Sequence, residues 1–152
     1  MSNKGLFFTS ITIASMASRV VAGKVSDKLG RVPVLKVGSF LIACSLLLFA
    51  FAATPFMLLF AAACLGFSSG ILAPAAFAWT VDRAKEEEKG KALATAYIFL
   101  EIGIGSGAII SAWLYANQSE LFFKTYATAG LICFGAFVFL QIFTRRTPAA
   151  EG

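Results

Sequence analysis

Five apolar runs, each near or above the length needed to cross a hydrocarbon core, fill most of this 152-residue chain. They cover residues 5–23, 34–53, 55–81, 92–115 and 121–144. A spanning helix needs about 20 such residues. The bilayer core offers no water to the backbone, so every peptide N–H and C=O must be satisfied within the protein. A transmembrane barrel strand would alternate apolar and polar residues over about ten positions, and these runs do not. The sequence therefore predicts an all-α, polytopic membrane protein of about five transmembrane helices, with residues 1–152 in a single helical bundle. Charge content agrees. Only 14% of residues are charged, against about 25% in soluble domains. The first run reads as a span and not a removable signal, because Arg19 lies near its far end and no small-residue cleavage site precedes a soluble region.

The location of the charges sets an expected orientation. Lys24, Lys28, Arg31 and Lys36 flank the first break, and Arg83, Lys85, Lys89 and Lys91 fill the third. Arg145 and Arg146 follow the last run, while the other side receives Lys4 and Lys124. If every run spans, ten of the thirteen cations share one side. The positive-inside rule makes that side cytoplasmic. The expectation is a multi-pass protein of a plasma (bacterial inner) membrane, with its N-terminus outside and its C-terminus inside. This asymmetry accounts for the net charge of +5, and no nucleic-acid partner is expected. The chain has no His, which removes the usual general base and the commonest transition-metal ligand. Cys44, Cys64 and Cys133 all lie within apolar runs and match no metal-site spacing. No metal, no cofactor and no enzymatic activity are expected.

The most specific local signal is Gly23-Lys24-Val25-Ser26-Asp27-Lys28-Leu29-Gly30-Arg31, read as part of a loop at residues 24–32. It resembles the Gly-x-x-x-Asp-Arg/Lys-x-Gly-Arg-Arg/Lys signature of the Major Facilitator Superfamily, and it sits between two spanning runs as that signature does. Val32 departs from the pattern where a second cation is usual. Gly23 suits a helix end, and Gly30 suits a positive φ in a tight turn. Pro33 suits the first turn of the next helix. The resemblance implies that Gly23, Asp27, Lys28, Gly30 and Arg31 form a conformational gate, with Asp27 paired to arginine near a helix N-terminus. Asp82-Arg83 and Glu88-Lys89-Gly90-Lys91 resemble the charged elements of the family's next inner loop, with Lys89 where Arg is usual.

The resemblance further implies half of a major-facilitator fold, with the other half as partner, a central cavity and alternating access. A start on the outer side fits helices two to six or eight to twelve. The absence of Gly-Pro from the fourth run favours the C-terminal half. Within the fourth run, Glu101 lies about 15 Å beyond Lys91 at 1.5 Å per residue, near the bilayer midplane. A charge there costs about 2.5–3.5 kcal/mol on insertion scales, so Glu101 is the candidate for proton coupling or solute binding. Gly103 and Gly107 form a small-residue face for helix packing or a hinge, and Pro74 is expected to kink the third helix. Arg19 can snorkel or pair with an acid. Thr9, Ser10, Thr12, Ser15 and Ser18 can line a cavity or bond their own backbone.

The functional expectation is secondary active transport of a small solute, with proton-coupled efflux and the lipid bilayer as its setting. The alternative from another class is a stand-alone membrane protein that dimerises or scaffolds without transport.

Overall fold

The structure is a computed structural model that describes residues 4–115 and 121–146. It contains five α-helices: α1 (Lys4–Leu29), α2 (Arg31–Ala50), α3 (Pro55–Asp82), α4 (Lys89–Tyr115) and α5 (Phe122–Arg146). A short 3-10 helix, Glu86–Glu88, leads into α4. Five helices among the described residues are long and apolar enough to cross a membrane. The expected turn at residues 117–120 and the tail at 147–152 lie outside the described residues.

The helix boundaries differ from the apolar runs in one consistent way. The expected loop at residues 24–32 shrinks to Gly30, which takes φ +86°. Gly23, read as a helix end, sits inside α1, and a Cβ there would meet nothing within 4 Å. Likewise α2 begins at Arg31 and not at residue 34, and α4 begins at Lys89 and not at residue 92. α5 continues through Arg146. Hydropathy marks where the membrane ends, whereas a helix ends where its backbone can no longer continue. Polar turns outside the hydrocarbon keep their i→i−4 bonds until a residue such as Gly30 adopts a non-helical φ. The α2–α3 connection is as short as expected. The Thr54 hydroxyl accepts from the Met57 backbone N–H at 3.2 Å, and Pro55 opens α3, as an N-cap and N1 proline do.

α3 is the central element. It packs extensively against α1 and α2, and α2 also packs against α5. The closest approach is between α1 and α3. A Cβ at Gly66 would collide with the Ile11 carbonyl, and one at Gly70 would collide with the Ser18 hydroxyl. Small residues three or four apart allow this proximity. The fully buried Ser18 bonds the Ser15 carbonyl at 2.9 Å, so its hydroxyl stays satisfied at the contact. Gly38 against Leu72 and Gly130 against Leu47 repeat the device at the α2–α3 and α2–α5 contacts. Two apolar clusters fill the rest. Phe49, Ala61 and Ala62 gather Phe7, Ile11 and Tyr126 at one end. Val34, Leu35 and Ala75 gather Ile71, Trp79 and Leu140 nearer the other.

α4 stands apart from this arrangement. It contains no buried residue and touches α3 and α5 only lightly. Gly103 and Gly107, expected as a packing face or hinge, contact no described residue at that face, since a Cβ at either would meet nothing within 4 Å. α3 continues through Pro74 as one helix. The hydroxyls of Ser10 and Thr12 bond the carbonyls of Leu6 and Phe8 in their own helix. Cys44, Cys64 and Cys133 are free and partly buried.

The two glycine pairs should respond oppositely to a methyl group. Gly66→Ala is expected to destabilise the bundle by about 1–3 kcal/mol through forced displacement of α1. Gly103→Ala should fall within about 0.5 kcal/mol of the parent. Thermal unfolding in detergent micelles measures both, and equal effects at the two positions contradict this packing.

Candidate functional site

The short turn at Gly30 places the first residue of α2, Arg31, beside the end of α1. The Arg31 Nη1 donates to the Asp27 carboxylate at 2.6 Å and to the Ser26 hydroxyl at 3.1 Å. Its Nε donates to the Asp82 carboxylate at 3.0 Å. Asp82 is the last residue of α3, 51 positions further along the chain. One guanidinium thus joins the ends of three helices. A planar fork of five fixed donors suits that task, and an ammonium does not.

The cluster is assembled against local helix electrostatics. A helix N-terminus carries partial positive charge and a C-terminus partial negative charge, each worth about 0.3–1 kcal/mol with a nearby side-chain charge. Arg31 puts a cation at the start of α2. Asp27 and Asp82 put anions in the last turns of α1 and α3. Each is disfavoured by its own helix, and only their mutual contact offsets this. The side chains of Arg31, Asp27 and Asp82 are 29%, 66% and 53% exposed, so each pair is worth about 0.2–1 kcal/mol. Ser26, in contrast, is 4% exposed, and it anchors the buried side of the guanidinium.

Other predicted residues take different partners. Arg83 lies over the Trp79 ring, 5.2 Å from its centroid, so it clamps the end of α3 to its own preceding turn. Glu88 lies in the 3-10 helix and is exposed. Its neighbour Lys89 pairs at 2.6 Å with Glu86 instead. Lys28 is exposed and makes no ion pair with a described residue. Glu101 is exposed on α4 and likewise lacks an ion-pair or hydrogen-bond partner among the described residues.

Sequence reasoning selected Asp27, Arg31 and Asp82 but missed Ser26, Glu86 and the stacking role of Trp79. The pairing of Asp27 with an arginine was expected from the family resemblance; the helical i,i+4 rule does not supply it, because Gly30 breaks the helix between Asp27 and Arg31. No local signal could join Arg31 to Asp82.

No curated protein matches this chain, and no solved structure does. The family model of the Major Facilitator Superfamily matches residues 2–152. With five spanning-length helices, a central α3 and a charge cluster at the turn that carries the signature residues, the chain belongs to the Major Facilitator Superfamily.

Proposed function

We propose that this membrane transporter of the major-facilitator type moves a small solute by alternating access, with the Arg31 cluster as its gate on the basic side. The observation that carries this reading is the assembly of Arg31, Asp27 and Asp82 against the dipoles of their own helices. Charges placed for helix stability would sit at the opposite ends. Here they make sense as a latch that holds the α1–α2 turn to α3, and a latch of about 1 kcal/mol can open and close within a transport cycle. In this reading Asp27 and Asp82 compete for Arg31 when α3 moves, Ser26 keeps the guanidinium in place, and Lys28 stays free on the surface. Gly30 supplies the sharp corner.

Glu101 is the coupling group in this proposal. Its motivation is position: an acidic side chain deep in a spanning helix, with no protein partner among the described residues. Such residues face cavities or other protein and carry ions or protons. Proton-coupled efflux is the direction we favour, with the second transporter half completing the cavity. The basic side is the cytoplasmic side of a bacterial inner membrane in the same reading.

Removing the latch should loosen the basic end without unfolding the bundle. Asp82→Asn removes one pair but also relieves an unfavourable helix end. Overall stability should therefore change by less than about 1 kcal/mol. Amide hydrogen exchange across residues 24–36 should become about 3–10-fold faster, and Arg31→Lys should resemble it. Unchanged exchange in both variants removes the latch.

A second experiment addresses coupling. Membrane vesicles from cells producing the chain, loaded with a pH indicator, should show solute-driven proton movement that Glu101→Gln abolishes. The same substitution should leave exchange at residues 24–36 as it was. Full proton movement in Glu101→Gln assigns coupling elsewhere.

A further inference from the structure

Glu101 is not the only charge inside an apolar run that lacks a partner among the described residues. Arg19 on α1 is exposed and, like Glu101, has no ion-pair or hydrogen-bond partner among the described residues. Arg19 lies ten residues before Leu29, the end of α1 on the basic side. Glu101 lies twelve residues after Lys89, the end of α4 on that same side. At 1.5 Å per residue these positions are about 15 Å and about 18 Å along their helices from those ends, a length that includes the polar turns beyond the apolar runs. Along α3 the two come level: Arg19 is one turn beyond the Ser15–Gly70 contact towards the basic side, and Glu101 is one turn beyond the Tyr97–Phe77 stack away from it.

Both also border α3. Residues four apart share a helix face. Arg19 is one turn from Ser15, whose carbonyl lies against Gly70 of α3. Glu101 is one turn from Tyr97, whose ring stacks on Phe77 of α3 at 4.4 Å. α1 and α4 each pack on α3 and not on each other. The stretch of α3 at that level contains Ala73, which lines the crevice between α3 and α4, and the exposed Pro74. With helix axes about 8–10 Å apart at each contact, α1 and α4 can be separated by no more than about 16–20 Å. A long guanidinium arm from one side and a shorter carboxylate from the other reduce that separation to the dimensions of a small molecule.

Resting on the transporter reading above, we propose that Arg19 and Glu101 are the two poles of a solute site that takes a small zwitterion, with Arg19 holding its carboxylate and Glu101 its cationic nitrogen. A zwitterion neutralises both stranded charges in one event, whereas a singly charged solute leaves the other pole uncompensated in a medium of low dielectric. The guanidinium can take the carboxylate through two parallel N–H donors. Specificity in this arrangement arises from the need to satisfy both poles together.

The test uses the full chain in lipid nanodiscs and reads thermal stabilisation by the standard amino acids, glycine betaine and carnitine. Each amino acid is paired with its methyl ester, which lacks the anion, and its N-acetyl form, which lacks the cation. At least one zwitterion should stabilise the chain, with both of its derivatives bound at least about tenfold more weakly, a difference of about 1.4 kcal/mol. Arg19→Gln should remove the preference over the ester, and Glu101→Gln the preference over the N-acetyl form. Absence of stabilisation by every zwitterion overturns the proposal, as does a preference that survives both substitutions. Stabilisation by singly charged solutes alone overturns it too, while leaving the transporter reading in place. If the two residues instead pair with each other, the exchange Arg19→Glu with Glu101→Arg restores the stability lost in the single variants and no solute acts, which also overturns the proposal. Faster exchange at residues 24–36 in Asp82→Asn does not depend on any of these results.

Discussion

The parallel contact between α1 and α3 governs the placement of everything else. Within lipid, helices gain little from excluding water from one another, so association depends on close packing and on satisfied polar groups. Gly66 and Gly70 bring the backbone of α3 against Ile11, Ser15 and Ser18 of α1. Only glycine permits that approach. The hydroxyl trapped there is bonded to its own helix, so proximity leaves no orphaned polar atom. α2 then lies across both with Gly38 against Leu72, and α5 closes on α2. The chain order requires α1 and α3 to run in the same direction if all helices span, and their basic-side ends therefore emerge together.

That emergence makes the Arg31 cluster possible. Three helix ends arrive at one place, each with a charge its own dipole disfavours. Natural sequences break local rules mainly where function requires it. A latch between helix ends has to be strong enough to hold one arrangement and weak enough to release it. Partly exposed pairs fall in that range, whereas a buried pair would cost several kcal/mol to break. The exposure of Asp27 and Asp82 is what the proposed latch reading requires.

α4 presents the opposite case. It is apolar enough to span, yet contributes nothing to the buried core. A Cβ at its glycines would meet no described atom within 4 Å, and its carboxylate has no ion-pair or hydrogen-bond partner among the described residues. A helix held this lightly has few contacts to break when it moves. Its Phe77–Tyr97 stack and the crevice lined by Ala73, Thr80, Ala96 and Leu100 are the main features that fix its position against α3. The tight core of α1, α2, α3 and α5 and the loosely held α4 therefore belong to different mechanical regimes within one bundle.

Much of this was legible in the sequence, for identifiable reasons. The number of spanning helices follows from run length alone, because the bilayer imposes a minimum length and forbids unpaired backbone. The corner at Gly30 was legible from glycine's tolerance of positive φ, and the start of α3 from Thr54 and Pro55. The common side of the first and third breaks was legible from their cations. Helix ends were not, since hydropathy reports membrane depth and says nothing of where backbone bonding stops. Nor could composition tell which small-residue pair would be a contact. Gly66/Gly70 and Gly103/Gly107 have the same spacing, and only the placement of α1 against one of them distinguishes them. The same holds for the partner of Arg31. The sequence by itself determined that five helices form and where charge must emerge, because these depend on the solvent acting on each segment separately. The tertiary structure alone decided that Arg31 meets Asp82, that Gly66 and Gly70 bear α1, and that α1 and α4 both border α3 without touching each other, because these are relations between segments that local physics leaves free.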